Sequence, residues 1–492
     1  MLGAVPRDQK VVDFEVWAPT VSSLAVRVNG DEHALARGDD GFWRGEADAR
    51  HGDDYLLVAD GVDLPDPASR WQPEGVRGTS RVLDTAQFDL EPVGLKLDEL
   101  VLYELHVGTF TEEGTFDGAI RHLGALAELG VTAIEVMPIA TFPGTRGWGY
   151  DGLYTSAPHE AYGGPEAFAR FVEAAHDEGL GVVLDVVYNH VGPGNEALRA
   201  FGPYFTGRYE TAWGDAVDYS QRGVREWAIQ NAELWVRDYG VDGLRLDAVH
   251  AVFDDSRRHV LAELAERVRA IQPGALVTAE MESGDLRPIE HWGHDAQWAD
   301  ELHHELHAVL TEEREGYYAD YGSLEGLAVQ LRREPAEQLI VCSQNHDQVG
   351  NRAVGDRPAA DELRLRAAVV LFAPQTPLLF MGEEYGERRP FQFFTDHIDS
   401  AIAEATREGR RREFAFSGDV PDPQSRSTFE ASKLDRSQPD EELRAFYREL
   451  LDLRRELPRE IEVEVDGSQL RARRGSVELH ADFDTKTVEV RR

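Results

Sequence analysis

From about residue 100 onward the sequence repeats one pattern, a short apolar stretch followed by an amphipathic helix. Short apolar runs between turn signals are typical of buried parallel strands, and flanking helices cover such strands on the outside. Eight strands are predicted, the sixth of them weakly: 101–107, 131–137, 181–187, 243–247, 275–280, 296–299, 339–343 and 377–381. Strands that alternate with helices in this way predict an α/β fold, the closed parallel (β/α)8 TIM barrel.

The helices are predicted from apolar residues that recur at helical spacing. They are placed at 117–129, 165–177, 222–239, 256–270, 302–310, 361–372 and 441–457. The stretch 191–220 is long, rich in aromatic residues and poor in periodicity. Long irregular connections in compact domains are usually functional. We interpret this stretch as an insertion after the third strand that lies over the barrel mouth.

A small all-β domain is predicted ahead of the barrel. Short alternating strands at 14–19 and 24–28 lead into Asn29-Gly30, a dipeptide that favours a tight hairpin turn. This spacing predicts an N-terminal immunoglobulin-like β-sandwich domain at 1–92. Core packing is preferred to sugar binding as the role of its three tryptophans, which are Trp17, Trp43 and Trp71.

The barrel domain is predicted to span 93–457 and to be followed by a small C-terminal β-sheet domain at 458–492. After Pro458 the strand-like alternation of apolar and polar residues returns at 461–465, 476–479 and 487–490. Such short alternating runs are typical of an antiparallel sheet with one solvated face.

Charge and composition narrow the class of partner. The chain has 51 basic and 91 acidic residues, a formal net charge of −40, so nucleic acids and anionic membranes would be repelled. No apolar run reaches membrane length, and the N-terminus lacks the apolar core of a signal peptide. The single cysteine, Cys342, lies in an apolar run, where buried packing is expected. We therefore expect a cytoplasmic protein with no nucleic-acid or membrane partner; the oligomeric state stays open.

The fourth strand carries a charged pair. Side chains alternate faces along a strand, so Gly243, Arg245 and Asp247 share one face. The arginine keeps the neighbouring carboxylate ionised, and an ionised carboxylate at a barrel mouth can attack the anomeric carbon of a sugar. Taken alone, this pair is explained equally well as a structural ion pair at a strand end.

Three other strands end in polar residues that meet at the same mouth if the strand order is right. The third ends in Asp185-Val-Val-Tyr-Asn-His190, the fifth in Ala279-Glu280 and the seventh in Asn345-His-Asp347. Retaining glycoside hydrolysis uses one ionised and one protonated carboxyl group about 5 Å apart. Arg245 beside Asp247, and an apolar run before Glu280, suit that division.

These motifs together resemble the four signature regions of the α-amylase superfamily of glycoside hydrolases. The resemblance implies that Asp247 is the nucleophile, Glu280 the general acid/base and Asp347 the third carboxylate, which holds sugar hydroxyls. It implies substrate-binding roles for a further set of residues, although for the loop aromatic Tyr150 simple packing is the alternative. The set is Trp148, Tyr150, Asp185, His190, Arg245, His250 and His346.

Within the superfamily the chain is most similar to the maltooligosyltrehalose trehalohydrolase family. The similarity lies in Trp148-Gly-Tyr-Asp-Gly-Leu153, Asn345-His-Asp-Gln-Val-Gly-Asn-Arg352 and Phe380-Met-Gly-Glu-Glu-Tyr385. It implies a retaining hydrolase that releases trehalose from maltooligosyltrehalose or a related α-glucan, without a cofactor. Two features depart from the family: the chain is short, and 281–285 does not reproduce a family pattern.

Alternatives to this function remain. A glycogen branching enzyme has the same plan of a sandwich and a barrel, and a non-catalytic glucan-binding protein can use the same barrel. The second alternative is disfavoured because all three carboxylates are present. No metal site is predicted, although Asn189 and nearby aspartates could hold an ion; a structural role is preferred for them.

Overall fold

The computed structural model describes residues 1–211, 213–281, 284–414 and 420–492. Its centre is a closed barrel of parallel strands in which the first pairs with the eighth, which confirms the predicted fold class. In chain order, barrel strands one to eight are Leu102–Leu105, Ala133–Val136, Gly181–Val186, Gly243–Leu246, Leu276–Ala279, Ala296–Trp298, Leu339–Cys342 and Thr376–Phe380. The weak sixth strand pairs with the fifth and the seventh, so the count of eight holds.

The barrel strands end earlier than the sequence predicts, and the residues beyond them form the mouth. Asp247 and Glu280, predicted as the last residues of the fourth and fifth strands, follow those strands directly. Their backbone amides still bond to neighbouring strands, Asp247 N to Val186 O at 3.0 Å and Glu280 N to Leu246 O at 2.9 Å. The carboxylates are therefore held by the sheet although they lie just outside its ladder.

The helices agree with the predicted periodicity except where local chemistry interrupts it. The α-helices are Val107–Phe110, Phe116–Ile120, Leu123–Leu129, Gly164–Asp177, Glu196–Phe201, Arg222–Asp238, Val260–Ile271, Arg287–His291, Glu301–Thr311, Leu324–Leu331, His346–Gly350, Leu363–Phe372, Ser400–Glu413, Arg426–Ala431 and Glu441–Arg454. The single helix predicted at 117–129 is wrong, because the chain breaks at Arg121-His122 into two helices. Leu324–Leu331 was missed by the pattern, and it starts at Ser323, whose hydroxyl accepts from Gly326 N at 2.9 Å.

The insertion at 191–220 is more regular than the sequence suggests. It holds the helix Glu196–Phe201 and an antiparallel hairpin of Phe205–Thr211 with Gly214–Val217; Ala212 lies outside the described residues. The hairpin is largely exposed, so its strands lack the apolar alternation that reveals half-buried strands. Its exposed Trp213 stacks on His190, which ties the insertion to the mouth.

Two antiparallel sheets form the N-terminal sandwich. One contains Gly3–Pro6, Val11–Trp17, Ala36–Arg37 and Phe42–Asp48; the other contains Leu24–Val28, Asp31–Ala34, Asp54–Ala59, Val62–Leu64 and Ser80–Arg81. Phe14 of the first sheet packs edge-on against Tyr55 of the second at 5.2 Å, and both are buried. Asn29 and Gly30 adopt positive φ, 53° and 89°, as the predicted hairpin requires.

The three tryptophans of this region serve packing and docking. Trp17 and Trp43 are buried, and Trp17 meets Tyr204 of the insertion edge-on at 5.2 Å. Trp71 is partly buried, and its Nε1 donates to Glu160 of the barrel. The sandwich is thus fastened to the barrel side that carries the insertion. The predicted domain limits at 92 and 458 stay predictions.

The remaining pairings are local. A short hairpin of Ala140–Thr141 and Tyr154–Pro158 follows the second barrel strand.

Cys342 is buried at the end of the seventh strand, and burial raises the pKa of its thiol. Among the described residues, no helix has both the length and the apolar character needed to cross a membrane.

The C-terminal sheet has four antiparallel strands, Glu462–Asp466, Gln469–Arg474, Val477–Asp482 and Thr487–Arg491. The sequence missed the second strand because arginines occupy half of its positions, including the inward-facing Arg474. One of them, Arg474, is buried: its Nε donates to Pro458 O at 2.7 Å, and its Nη1 donates to Phe372 O at 3.0 Å and Ala373 O at 3.2 Å. The Phe372 and Ala373 carbonyls close the helix Leu363–Phe372, where cations are favoured.

Replacing Arg474 by Met should destabilise the protein. The change removes the Arg474 donor from the Pro458 and Phe372 carbonyls, whereas Ala373 O keeps its bond from Arg454 Nη1, and each unsatisfied buried group costs about 1–3 kcal/mol. We expect a lower free energy of unfolding in urea, with Arg471→Met on the exposed face of the same strand as the matched control. Equal stability of the two variants would contradict this account of how the sheet docks.

Candidate active site at the barrel mouth

A fully buried arginine organises the mouth. Arg245 Nη1 donates to Asp185 Oδ2 at 2.7 Å and to Asp247 Oδ1 at 2.9 Å, and Nη2 donates to Glu280 Oε2 at 2.6 Å. Its guanidinium lies over the ring of Trp298, 4.2 Å from the centroid. One cation therefore fixes carboxylates from the third, fourth and fifth barrel strands.

The register of the barrel explains why these groups meet. Asp185 pairs directly with Arg245 across the third and fourth strands, and Arg245 pairs with Thr278 of the fifth strand. Asp247 and Glu280 each lie two residues farther along their chains, on the same inward face. The predicted alternation of side chains along the fourth strand thus brings Arg245 and Asp247 to the mouth.

Asp247 is held at both oxygens. Oδ1 accepts from Arg245, and Oδ2 accepts from Asn189 Nδ2 at 2.6 Å. The same amide donates to the backbone oxygen of Asp247 at 2.9 Å, so Asn189 is occupied in positioning this residue. Within the described ranges, no group of three or more His, Cys, Asp or Glu residues is arranged to hold a metal ion.

Glu280 faces Asp247 from the neighbouring strand. Its Oε2 accepts from Arg245 and from Ala248 N at 3.0 Å. Ala248 has φ 40° and ψ 52°, a left-handed conformation that is unusual for alanine and that turns its amide toward Glu280. Burial raises the pKa of Glu280, and the negative charge of Asp247 adds to this, against the opposing effect of Arg245. A raised pKa is what a general acid at neutral pH needs.

The seventh strand supplies a hydrogen-bonded chain around His346. Its Nδ1 donates to Glu104 Oε1 at 2.5 Å, and its Nε2 donates to the Tyr150 hydroxyl at 2.7 Å. Tyr150 in turn donates to Asp185 Oδ2 at 2.8 Å. Burial disfavours a charge on His346, but Asp347 and Glu104 outweigh it and raise the pKa of the imidazole to about 10. The imidazolium is therefore the form that donates in both directions.

Asp347 remains the most accessible of the three predicted catalytic carboxylates. Asn351 Nδ2 donates to its Oδ1 at 2.9 Å, and His346 Nε2 lies 3.4 Å from the same oxygen. Its side chain is 29% exposed, compared with 9% for Asp247. Asp347 is therefore the carboxylate of the three that a molecule in the mouth reaches most easily.

The other predicted binding residues are close to the mouth but differ in exposure. His190 lies between Asn189 and the Tyr150 backbone oxygen, with its ring flat against Trp213 at 4.7 Å. Trp148 is buried. Its ring stacks on that of Phe391, with centroids 5.1 Å apart, and meets the ring of His346 edge-on, with centroids 5.6 Å apart. Trp148 therefore packs between Phe391 and His346 and supports the position of the His346 ring.

His250 lies in the short helix Val249–Ala251 that follows the fourth strand. Its ring is partly buried, and its buried Nδ1 has no hydrogen-bond partner among the described residues. The stretch 281–285, which departs from the family pattern, includes Glu282 and Ser283; these two lie outside the described residues.

Comparisons with known proteins agree with this geometry. The model of the α-amylase catalytic domain matches residues 78–202. A malto-oligosyltrehalose trehalohydrolase from Saccharolobus solfataricus is 42% identical over 91% of this chain and 86% of its own. The chain belongs to the malto-oligosyltrehalose trehalohydrolase family.

Two further matches, one stronger and one weaker, help to place this trehalohydrolase family member among related glucan enzymes. A solved structure described as a putative α-amylase from Salmonella typhimurium has a TM-score of 0.91 and 37% identity, covering 98% of this chain and 93% of its own. A 1,4-α-glucan branching enzyme from Salinibacter ruber is only 29% identical over 79% of this chain and 73% of its own. The branching enzyme is the weaker match, as the sequence motifs indicated.

The barrel of this trehalohydrolase family member contains further acidic and aromatic residues that the sequence motifs did not single out. Glu104 and Glu135 are acidic residues inside the apolar first and second strands, a signal that was available. Trp298 and Asp300 come from the sixth strand and the residues after it; the strand was predicted only weakly, and these two residues were not singled out. Asp300 is partly buried, and burial together with Glu280 and Asp347 raises the pKa of its carboxyl to about 7.

Glu135 is the most unusual of these residues. Both of its carboxylate oxygens are buried without a hydrogen-bond partner among the described residues. Burial raises the pKa of Glu135 well above its ordinary value, and the neighbouring Glu104 adds to the effect. Between the ordinary carboxyl pKa of about 4.3 and this raised pKa, the native protein binds a proton at Glu135 that the unfolded chain releases.

Replacing Glu135 by Gln should change how stability depends on pH. Because the folded pKa is raised, the native state binds more protons, so stability falls as pH rises above the unfolded pKa, by up to about 1.4 kcal/mol per pH unit. The glutamine removes this proton, and the variant should gain stability relative to wild type between pH 5 and pH 8 in urea titrations. Exposed Glu128→Gln is the matched control; parallel curves for Glu135→Gln and wild type would refute the assignment.

Proposed function

We propose that this protein hydrolyses the α-1,4 bond that joins a maltooligosaccharide to the terminal trehalose of maltooligosyltrehalose, with retention at the anomeric carbon. The observation that carries the proposal is Arg245, which holds Asp247 and Glu280 on its two terminal nitrogens. Two carboxyl groups bound to the same guanidinium lie close together, and a short separation of this kind suits a retaining rather than an inverting glycosidase.

In the first step Glu280 gives its proton to the glycosidic oxygen. Asp247 attacks the anomeric carbon, the bond from that carbon to oxygen breaks, and trehalose leaves carrying the proton. A covalent glycosyl-enzyme forms on Asp247, which Asn189 and Arg245 hold in line. In the second step the Glu280 carboxylate takes a proton from water, whose oxygen displaces Asp247 from the sugar.

The surrounding residues support this chemistry without a cofactor. Asp347 binds sugar hydroxyls and favours a distorted ring, and the Tyr150 ring lies under the sugar at the cleaved bond. The charged His346 beneath them offsets the negative charge of Asp185, Glu104 and Asp347. Binding energy from these contacts is useful when it is strongest in the transition state.

A branching reaction would use the same glycosyl-enzyme but pass it to a sugar hydroxyl. The lower identity to the branching enzyme disfavours that outcome. A non-catalytic role is disfavoured because the three carboxylates are all present and hydrogen-bonded at one mouth. The substrate is accordingly an α-glucan, and maltooligosyltrehalose is the one we propose.

The roles of the two main carboxylates can be separated with an activated substrate. Fluoride leaves without protonation, so Glu280→Gln should still give a burst of fluoride from an α-maltosyl fluoride, while losing about 10²–10⁴-fold on the natural substrate. Asp247→Asn should lose both, because no nucleophile remains. Asp98→Asn, on an exposed site, controls for a generic carboxylate change. A burst from Asp247→Asn and none from Glu280→Gln would reverse the assignment.

The bond that is cut separates the proposed reaction from its alternatives. A site that hydrogen-bonds trehalose leaves polar groups unpaired when maltose takes its place, and such mismatches give large discrimination. We expect free trehalose from maltooligosyltrehalose, much slower cleavage of plain maltooligosaccharide and no new α-1,6 branches in amylose. Equal rates on the two oligosaccharides, or branched product by NMR, would reject the proposal; the Asp247→Asn protein serves as the blank.

A further inference from the structure

Asp300 follows the sixth barrel strand, which lies between the strands that lead to Glu280 and Asp347. The sixth barrel strand pairs with the fifth, which leads to Glu280, and with the seventh, which leads to Asp347. Trp298, the last residue of the sixth strand, faces inward against Arg245. Asp300 follows two residues later and starts the helix Glu301–Thr311. It therefore stands higher in the mouth than Trp298, at the edge that a bound sugar reaches.

The carboxyl group of Asp300 is not used by the fold. It does not cap its own helix, and no hydrogen bond reaches it from the side chains or backbone of the described residues. Only its backbone oxygen is engaged, by His304 N at 2.9 Å. Because Asp300 is only partly exposed and its carboxyl group makes no bond within the described residues, that group is available to a ligand bound in the mouth.

Four ionisable groups act on Asp300. Glu280 and Asp347 face it from the neighbouring strand ends, Glu301 follows it in its own helix, and Arg245 lies below. Burial and the three carboxylates raise the pKa of Asp300 to about 7, against the weaker effect of Arg245. Near neutral pH the group is present in both forms, so it can donate as well as accept a hydrogen bond with a sugar hydroxyl.

The position relative to Glu280 decides which sugar Asp300 meets. Glu280 protonates the leaving oxygen, so the leaving group begins at Glu280 and extends away from Asp247. Around the barrel the order is Asp247, Glu280 and then Asp300 on successive strands. Of its two carboxylate neighbours, Glu280 acts on Asp300 more strongly than Asp347 does, so Asp300 adjoins the acid from which, in the proposed reaction, trehalose departs.

We infer that Asp300 is a specificity-determining residue that hydrogen-bonds the departing trehalose unit and selects it over maltose. The inference rests on the proposed function, since another leaving group would change what is selected. Trehalose and maltose differ in the direction of the second ring, so a hydroxyl within reach of Asp300 in one is displaced in the other. A site that binds a hydroxyl discriminates strongly against a ligand that leaves it unpaired.

The test compares two substrates of equal length, maltotriosyltrehalose and maltopentaose. In Asp300→Ala the kcat/KM for maltotriosyltrehalose should fall about 10–100-fold, with a much smaller fall for maltopentaose. Inhibition by free trehalose should weaken by a similar factor. Asp320→Asn, an exposed carboxylate of the neighbouring loop, is the control and should leave both ratios unchanged.

A merely structural role would lower both rates alike and leave their ratio and the inhibition by trehalose untouched; that result would overturn the inference. The nearly isosteric Asp300→Asn decides the question if the alanine variant does not fold. In wild type the ratio of the two kcat/KM values should change as pH passes about 7, and Asp300→Asn should abolish the change. The ratio cancels the ionisation of Glu280, which both substrates need. If wild type releases no trehalose at all, the proposed function fails, whereas a normal release with an unchanged ratio in the variants rejects Asp300 alone.

Discussion

The mouth of the barrel depends on the burial of one guanidinium. Removing a charged group from water costs several kcal/mol unless it is paired and hydrogen-bonded. Arg245 meets this condition with three carboxylates and an aromatic face, and its planar fork reaches two of them from one nitrogen and the third from the other. A lysine has a point charge and no fork, so it could not hold the three groups in these directions. The spacing of Asp247 and Glu280 is therefore a consequence of where Arg245 lies.

The same crowding of charge sets the protonation of the site. Acidic residues from the first to the seventh strand converge on a region in which, among the described residues, Arg245 and His346 are the central cations. Some carboxyl groups must then stay protonated, since like charges in a poorly solvated space disfavour ionisation. Burial brings the pKa of Asp185 to about 7, and that of Glu280 is raised as well. A site built in this way has a proton to give at neutral pH, which is what cleavage of a glycosidic bond requires.

The sequence predicts those features of the fold and site that depend on residues near one another in the chain, and it misses those that depend on distant residues. The barrel strands, Arg245 and the three carboxylates could be predicted because strand alternation and strand-end motifs are short-range signals. Arg474 and its strand could not, since burial of a charged side chain there depends on carbonyls about a hundred residues away in sequence. Asp300 was missed for a related reason, because the sixth strand is defined by its neighbours rather than by its own residues. The domain limits and the roles of the site residues stay predictions.

The distinction between related glucan enzymes must then lie outside the shared catalytic groups. In the proposed mechanism Asp247, Glu280 and Asp347 would serve hydrolysis or transfer equally well, because both reactions begin with the same glycosyl-enzyme. What differs is the sugar that leaves and the molecule that accepts, and both occupy the side of the mouth beyond Glu280. In this chain that side is built by the fifth and sixth strand ends and the helix Glu301–Thr311. The sixth strand, the shortest of the barrel, thus leads to Asp300, the residue that we propose selects the leaving sugar.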